Sequence, residues 1–512
     1  MSDTLRLDGI FADGMVLQRN AENCIWGWDS APAVTVTLEG REYTAPTENG
    51  KFRVTLPPHE AAVGCTITVK GSDTVTLSDV CFGDVLLLTG QSNMELPVGR
   101  VLDASPDVVS DNYPLIRQFI IAPPLRIGSP ADGIAAAPWL KAAGDDLLQF
   151  SAAGYFCARR LFAEKNIPIG LVLAAQGGSS VEAWMPADAL TEFGDFSPEI
   201  DRFVGDTALG EFLSFIEKRD MDWAQAQEMN VDESFSAAIP ENAGAVKLPA
   251  MLRDTELKGF SGSLWFYKEF TLENEPQGTP FLYVGELIDS DRTFINGVKV
   301  GETGYRYPPR RYFFDAAPLR KGKNLLAVRL LVKNGDGGFI PEHPYFLDTG
   351  AERVELSGEW QYAIEHRAEE NAPDWFMAQH VPTWLYNASI VPLAGLGFMG
   401  SLWYQGETNA GRWERYDEKF ATMLRCWRKV LGQALPVICV EMCDYDEPMD
   451  PEHDISGWEK IQQFQRGAAD TAENCRCVSA KDLGQPLELH PQLKEELGER
   501  LAKAALKFFY QD

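Results

Sequence analysis

Residues 85–89, Val-Leu-Leu-Leu-Thr, form an almost unbroken apolar run that stops at Gly90-Gln91-Ser92-Asn93-Met94. A strand that is apolar at consecutive positions has both faces buried, as in a parallel sheet covered by helices. IPIGLVLAA (167–175) repeats the pattern and ends in Gln176-Gly177-Gly178-Ser179. Between the two runs, YFCARRLFAEK (155–165) has helical spacing. Strand, helix, strand, with polar residues at the strand ends, predicts an α/β domain.

The chain has 512 residues, more than one compact core holds. Residues 1–82 read as an N-terminal β-domain: AVTVTL (33–38), KFRVTL (51–56) and CTITVK (65–70) alternate, with turn signals such as Asn49-Gly50 between them. The first part of the α/β domain is placed at 83–244. Residues 245–360 return to β character, with SLWFYKEFTL (263–272), TPFLYVG (279–285), RTFING (292–297) and NLLAVRLLV (324–332), and read as an inserted β-sandwich. The α/β pattern resumes over 361–512. There MGSLWYQGETNA (399–410) and LPVICVEM (435–442) are strands, and 416–432, 458–470 and 494–510 are helices, the first closed by Gly432. The predicted fold class is therefore α/β, a discontinuous parallel-sheet domain with an N-terminal β-domain and an inserted sandwich.

A net charge of −29, from 46 basic and 75 acidic residues, argues against nucleic acid or an anionic membrane as partner. No apolar run approaches the roughly 18 residues that span a bilayer. The opening MSDTLRLDGIF lacks a basic start followed by an apolar core, so a cytoplasmic location is expected. The nine cysteines are odd in number and irregular in spacing, which predicts reduced, buried thiols and no zinc site.

Ser92 follows a buried strand directly, where a turn can aim its hydroxyl into a cleft beyond the strand ends; capping a helix is the plainer role of such a serine. The turn is not the G-x-S-x-G elbow, because position 94 is Met. A nucleophilic serine needs a base, and there are six histidines to choose from. His59 lies in the N-terminal β region, His343 in the insert, and His366 and His380 just after it. His453 and His490 remain in the α/β part; His490, on a loop entering the last helix, is preferred. Acyl transfer also needs donors for an oxyanion. The backbone at Gly177-Gly178 and the side-chain amide of Gln405, both at strand ends, are the candidates.

GQSNMELPV (90–98), GLVLAAQGGSSVEAWMP (170–186), WYQGETNA (403–410) and LELHPQLKEELGERLA (487–502) occur in this order. Together they resemble the sialate O-acetylesterase family, within the SGNH (GDSL-like) hydrolase superfamily. FADGMVLQRN (11–20) and PTWLYNASIVPL (382–393) extend the likeness over nearly the whole chain, and LIDSDRTFINGVKVG (287–301) is similar to the sugar-binding jelly rolls of glycosidases. The resemblance implies an SGNH-type sheet with Ser92 as nucleophile and His490 as base. It further implies an oxyanion hole from the N–H of Ser92, the N–H of Gly177 (Gly178 the near alternative) and the Gln405 amide. Asn93 and Glu407 fall inside the motifs and are given a supporting role.

The superfamily usually places Asp three residues before the histidine, and this branch often two before it; here Leu487 and Glu488 stand there. Either Glu488 accepts from the imidazole Nδ1–H as third catalytic member, or it points to solvent and a backbone carbonyl orients His490. The implied function is removal of O-acetyl groups from sialic acid through an acyl-enzyme, without metal or organic cofactor. Other readings are an acetylxylan or other glycan esterase, and a carbohydrate-binding protein without activity. The expected partner is thus an acetylated sugar or glycan, with oligomeric state open. Arg117 and Arg412 are candidates for a substrate carboxylate. Trp184, Trp403 and Tyr404 are candidates for stacking on sugar rings, core packing being their plainer role.

Overall fold

The computed structural model describes residues 4–510 apart from 102, 104, 126, 206, 229–232, 307–308, 342, 374–375, 446–454 and 485–487. His453 and Leu487 lie outside the described residues. The chain forms two compact units, Met1–Phe212 with Met377–Asp512, and Leu213–Phe376.

In the first unit the central strands are β1 (Thr74–Gly90), β2 (Asn112–Ile120), β3 (Leu140–Ala143), β4 (Ile169–Leu173), β5 (Gly400–Tyr404), β6 (Val437–Glu441) and β7 (Cys475–Ser479). Their spatial order is β3-β2-β4-β1-β5-β6-β7, parallel throughout except for β3. β1 is buried continuously from Val80 to Gly90, as its apolar run requires. Its first half pairs antiparallel with Ala62–Lys70, so the N-terminal β region and the central sheet share one strand running through the expected border at 82–83. The order reverses around β1, with β4 on one side and β5 on the other. Ligands of open α/β sheets bind at such a switch point, beyond the carboxyl ends of the strands.

The helices α1 (Ser92–Glu95), α2 (Ala152–Lys165), α3 (Tyr416–Leu431), α4 (Trp458–Arg466) and α5 (Lys494–Phe508) follow the strands. α2 is capped by Ser151, whose Oγ accepts from the Gly154 N–H, and ends at Asn166 in the left-handed region. The same Ser151 hydroxyl donates to the Met94 carbonyl at 2.6 Å, tying the cap to α1. Gly498 brings α5 close against α2: a Cβ there would lie 2.4 Å from that of Phe156. α3 ends at Gly432 as read from the sequence, whereas α4 stops at Arg466, short of the expected 470.

The second unit holds the expected insert at 245–360 but also takes in residues 213–244 and 361–376, which were expected in the α/β domain. It has an antiparallel sheet of order Gly244–Leu248, Gly358–Arg367, Phe260–Leu272, Gly322–Gly335, Ser290–Ile295, Val298–Thr303. A further four-stranded antiparallel sheet joins Arg311–Phe313, Phe281–Val284, Tyr345–Asp348 and Arg353–Glu355. Phe266, Leu330 and Trp360 from the first sheet and Leu282 and Leu347 from the second meet in one core. The nine cysteines are free thiols. No helix among the described residues is long and apolar enough to cross a membrane.

Gly90 closes β1 at φ +115°, and a Cβ there would sit 2.1 Å from the Tyr404 carbonyl oxygen. Gly90→Ala therefore meets both an unfavourable φ and a rigid backbone neighbour, and is expected to cost about 3 kcal/mol or more. The urea unfolding midpoint measures this loss; an unchanged midpoint would contradict the close approach.

Candidate active site

The carboxyl ends of β1, β4 and β5 are stitched together by backbone bonds. The Gln91 N–H donates to Tyr404 O at 2.8 Å, and the Gln176 N–H donates to Gly90 O at 3.0 Å. The turn after β1 therefore emerges between the loops after β4 and β5. Ser92 is half-buried, and its Oγ lies 2.9 Å from His490 Nε2. No acceptor for the Ser92 N–H occurs among the described residues.

His490 is 8% exposed. Burial pulls its imidazole down to about 4; the Glu488 charge opposes this, while Lys494 and Arg100 add to it. The ring is neutral at neutral pH and able to accept a proton. Glu488 is buried rather than solvated, and its Oε1 accepts the His490 backbone N–H at 2.8 Å. This bond holds the loop that presents the ring, and the carboxylate charge reaches the ring itself.

Asn93 locks the nucleophile turn to the histidine loop. Its Nδ2 donates to Glu407 Oε1 at 2.7 Å and to Leu489 O at 3.0 Å. Its Oδ1 accepts from Lys494 Nζ at 2.7 Å. Burial pulls the Lys494 ammonium down to about 8, against the pull of Cys443 and Glu407, and raises the Glu407 carboxyl. Lys494 was missed from sequence, although a signal was present. It opens α5, where a cation faces the positive end of the helix dipole.

The structure does not place Gln405 as an oxyanion donor. It is fully buried, and its Nε2 donates to Ser179 O at 3.0 Å and Asn409 Oδ1 at 2.7 Å. Its Oε1 accepts from Tyr416 at 2.7 Å. Both amide hydrogens are thus committed to the protein. Asn409 continues the chain of bonds to Glu182, which is paired with Lys419 at 2.8 Å. Gln405 is a structural bolt between the loops after β4 and β5.

Gly177 does lie beside the nucleophile: a Cβ built on it would be 3.5 Å from the Ser92 Cβ. Its N–H is bound by Glu95 Oε2 at 2.6 Å, a partner not foreseen from sequence. Gly178, at φ +72°, shapes the same turn.

Trp184, Trp403 and Tyr404 are fully buried, and the two tryptophans pack with Trp427 at centroid distances of 5.7–5.9 Å. They form core and have no face for a sugar. Arg117 is likewise buried, donating to Gly14 O, Asp79 O and Pro114 O and pairing with Asp79. Arg412 is exposed at the end of the segment 407–412. His59 stacks on Phe82, His343 meets Tyr283 and Glu286, and His366 meets Gln227; none of these contacts involves a serine.

Residues 385–507 match a family described as carbohydrate esterase, sialic acid-specific acetylesterase. The match includes Gln405, Glu407 and His490, whereas Ser92 and Gly177 lie before it. The sialate O-acetylesterase of Rattus norvegicus is 32% identical over 203 residues, covering 35% of this chain and 37% of that protein. The Homo sapiens sialate O-acetylesterase is 28% identical over 202 residues, covering 35% and 38%. The chain thus spans well under half the length of these relatives. The resemblance seen in the ordered sequence blocks is shown by these matches. A carbohydrate acetylesterase from Xanthomonas citri shares the fold, with a TM-score of 0.58 at 22% identity, covering 99% of this chain and 76% of that one.

Asn93→Ala removes the acceptor of the buried Lys494 and the donor of the buried Glu407. The expected loss is about 2–4 kcal/mol of stability, because buried groups are left unpaired. Thermal unfolding checks it; an unchanged Tm would show that the tie is dispensable.

Proposed function

We propose that this chain, similar to the sialate O-acetylesterases, is a serine carbohydrate esterase that removes O-acetyl groups from a sugar through an acetyl-enzyme. The observation that carries the reading is the 2.9 Å contact of Ser92 Oγ with His490 Nε2 at the carboxyl end of β1. The α/β unit is read as SGNH-type, on the strength of its site loops at the ends of β1, β4 and β5. The second unit is read as a jelly roll, from its antiparallel sheets around a shared core.

In the forward reaction, the neutral His490 takes the Ser92 proton as the hydroxyl attacks the acetyl carbonyl. The developing oxyanion is met by the N–H groups of Ser92 and Gly177, with Gln405 holding the surrounding loops. Preorganised donors of this kind are each worth about 3 kcal/mol. His490 then protonates the departing sugar oxygen. Water, activated by the same ring, releases acetate and regenerates Ser92. Glu488 steadies the loop and stabilises the imidazolium that forms. The mechanism draws on no metal or organic cofactor.

The preferred substrate is O-acetylated sialic acid, the compound named for the mammalian relatives. Its carboxylate needs a cation. Arg117 is consumed within the fold, whereas the Arg100 charge acts on both His490 and Glu95 and is the better candidate. Acetate release from O-acetylated sialic acid beside acetylated xylo-oligosaccharides tests the choice. A preference for the sialic acid of about tenfold or more is expected; the reverse preference moves the assignment to acetylxylan. Ser92→Ala must abolish release from either.

The acid limb of activity offers an independent check. His490 must be neutral to act, and its buried imidazole protonates at about 4 rather than 6.5. On p-nitrophenyl acetate, kcat/KM is expected to hold down to about pH 5 and to fall as pH drops through about 4. A limb near 6.5 would show a solvated histidine and contradict the site as described.

A further inference from the structure

Gly177 lies beside the nucleophile, yet the partner of its N–H in the resting protein is an acidic side chain from the nucleophile's own turn. Glu95 sits three residues after Ser92 on α1, so both side chains lie on one side of the turn. Its Oε2 is 2.6 Å from the Gly177 nitrogen and would be 3.0 Å from a Cβ on Gly177. The same constructed Cβ would be 3.5 Å from the Ser92 Cβ. A carboxylate oxygen thus stands at the donor, beside the nucleophile, where an oxyanion would need to stand. We infer that Glu95 is an internal occupant of the oxyanion position, which gives way at Gly177 as the oxyanion of acetyl transfer forms. The inference rests on the esterase reading given above.

The chemistry of the two competitors supports displacement. A carboxylate is a charge-assisted acceptor, roughly twice as strong as a neutral one, so the carbonyl of an incoming ester is the weaker ligand for this N–H. The tetrahedral intermediate is anionic and matches the carboxylate. Two such charges on one donor repel each other, so Glu95 leaves as the oxyanion forms. Burial already disfavours the charged form of Glu95, while the Gly177 bond and the Arg100 charge favour it. The resting contact therefore holds Gly177 oriented and dry, and also masks it from weak acceptors.

Phenylboronic acid provides the test. Its boron adds the Ser92 oxygen, the hydroxyl proton passes to His490, and the resulting tetrahedral boronate carries the negative charge into the oxyanion position. Inhibition constants are measured against p-nitrophenyl acetate for wild type, Glu95→Ala and Glu95→Gln. Removing the competing carboxylate is expected to tighten the boronate at least tenfold in Glu95→Ala, with Glu95→Gln, still an acceptor but uncharged, in between. Unchanged or weaker inhibition in both variants overturns the inference and leaves Glu95 a structural ligand of Gly177. Loss of fold would weaken inhibition rather than tighten it, and the near-isosteric Gln variant guards against that outcome in the Ala variant. Ser92→Ala separates the two levels. If it hydrolyses p-nitrophenyl acetate as fast as wild type, the esterase reading itself fails; if it is inactive, only the role of Glu95 is in question.

Discussion

A strand buried on both faces and paired on both edges has no freedom in where it ends. β1 is such a strand, held between β4 and β5 over its last residues. The residue that follows it must emerge at the switch point of the sheet, between two loops whose positions are fixed by the same ladder. Gly90 permits this because Tyr404 leaves no room for a side chain. Ser92 thus owes its position to backbone pairing far stronger than any contact it makes itself.

The rest of the site is polar material kept out of water and tied together by hydrogen bonds between buried groups. Asn93 stands between an ammonium and a carboxyl, with its donor and acceptor ends assigned by those partners. Gln405 and Asn409 play the same part between the second and third loops, ending in the Glu182–Lys419 pair. Buried networks of this kind specify one arrangement when every member is satisfied and are costly when one is removed. They hold a histidine from the far end of the chain against a serine near its start. The low proton affinity of His490 follows from the same dryness.

Much of this was legible in the sequence. Continuous apolar runs announce β1, β4, β5 and β6, and a chain with few histidines narrows the search for a base. Strands β2 and β7 escaped because they lack such runs: NYPLIRQFI carries Pro114 and the buried Arg117, and CRCVS alternates at the edge of the sheet. Side-chain direction was harder still. Gln405 occupies the right strand end, but Asn409 and Tyr416 turn its amide inward. The indole rings of Trp184 and Trp403 likewise follow the packing of Trp427 on α3. Glu95 is invisible as a ligand of Gly177 until residues 82 positions apart are brought together.

The account stands on a hydroxyl made reactive by one imidazole. Labelling with diisopropyl fluorophosphate, followed by mass spectrometry of the peptides, measures that directly. The phosphoryl adduct is expected on Ser92 in the wild-type protein and is expected to be lost when His490 is replaced by Ala. Labelling of a different residue, or undiminished labelling of Ser92 without the imidazole, would contradict it.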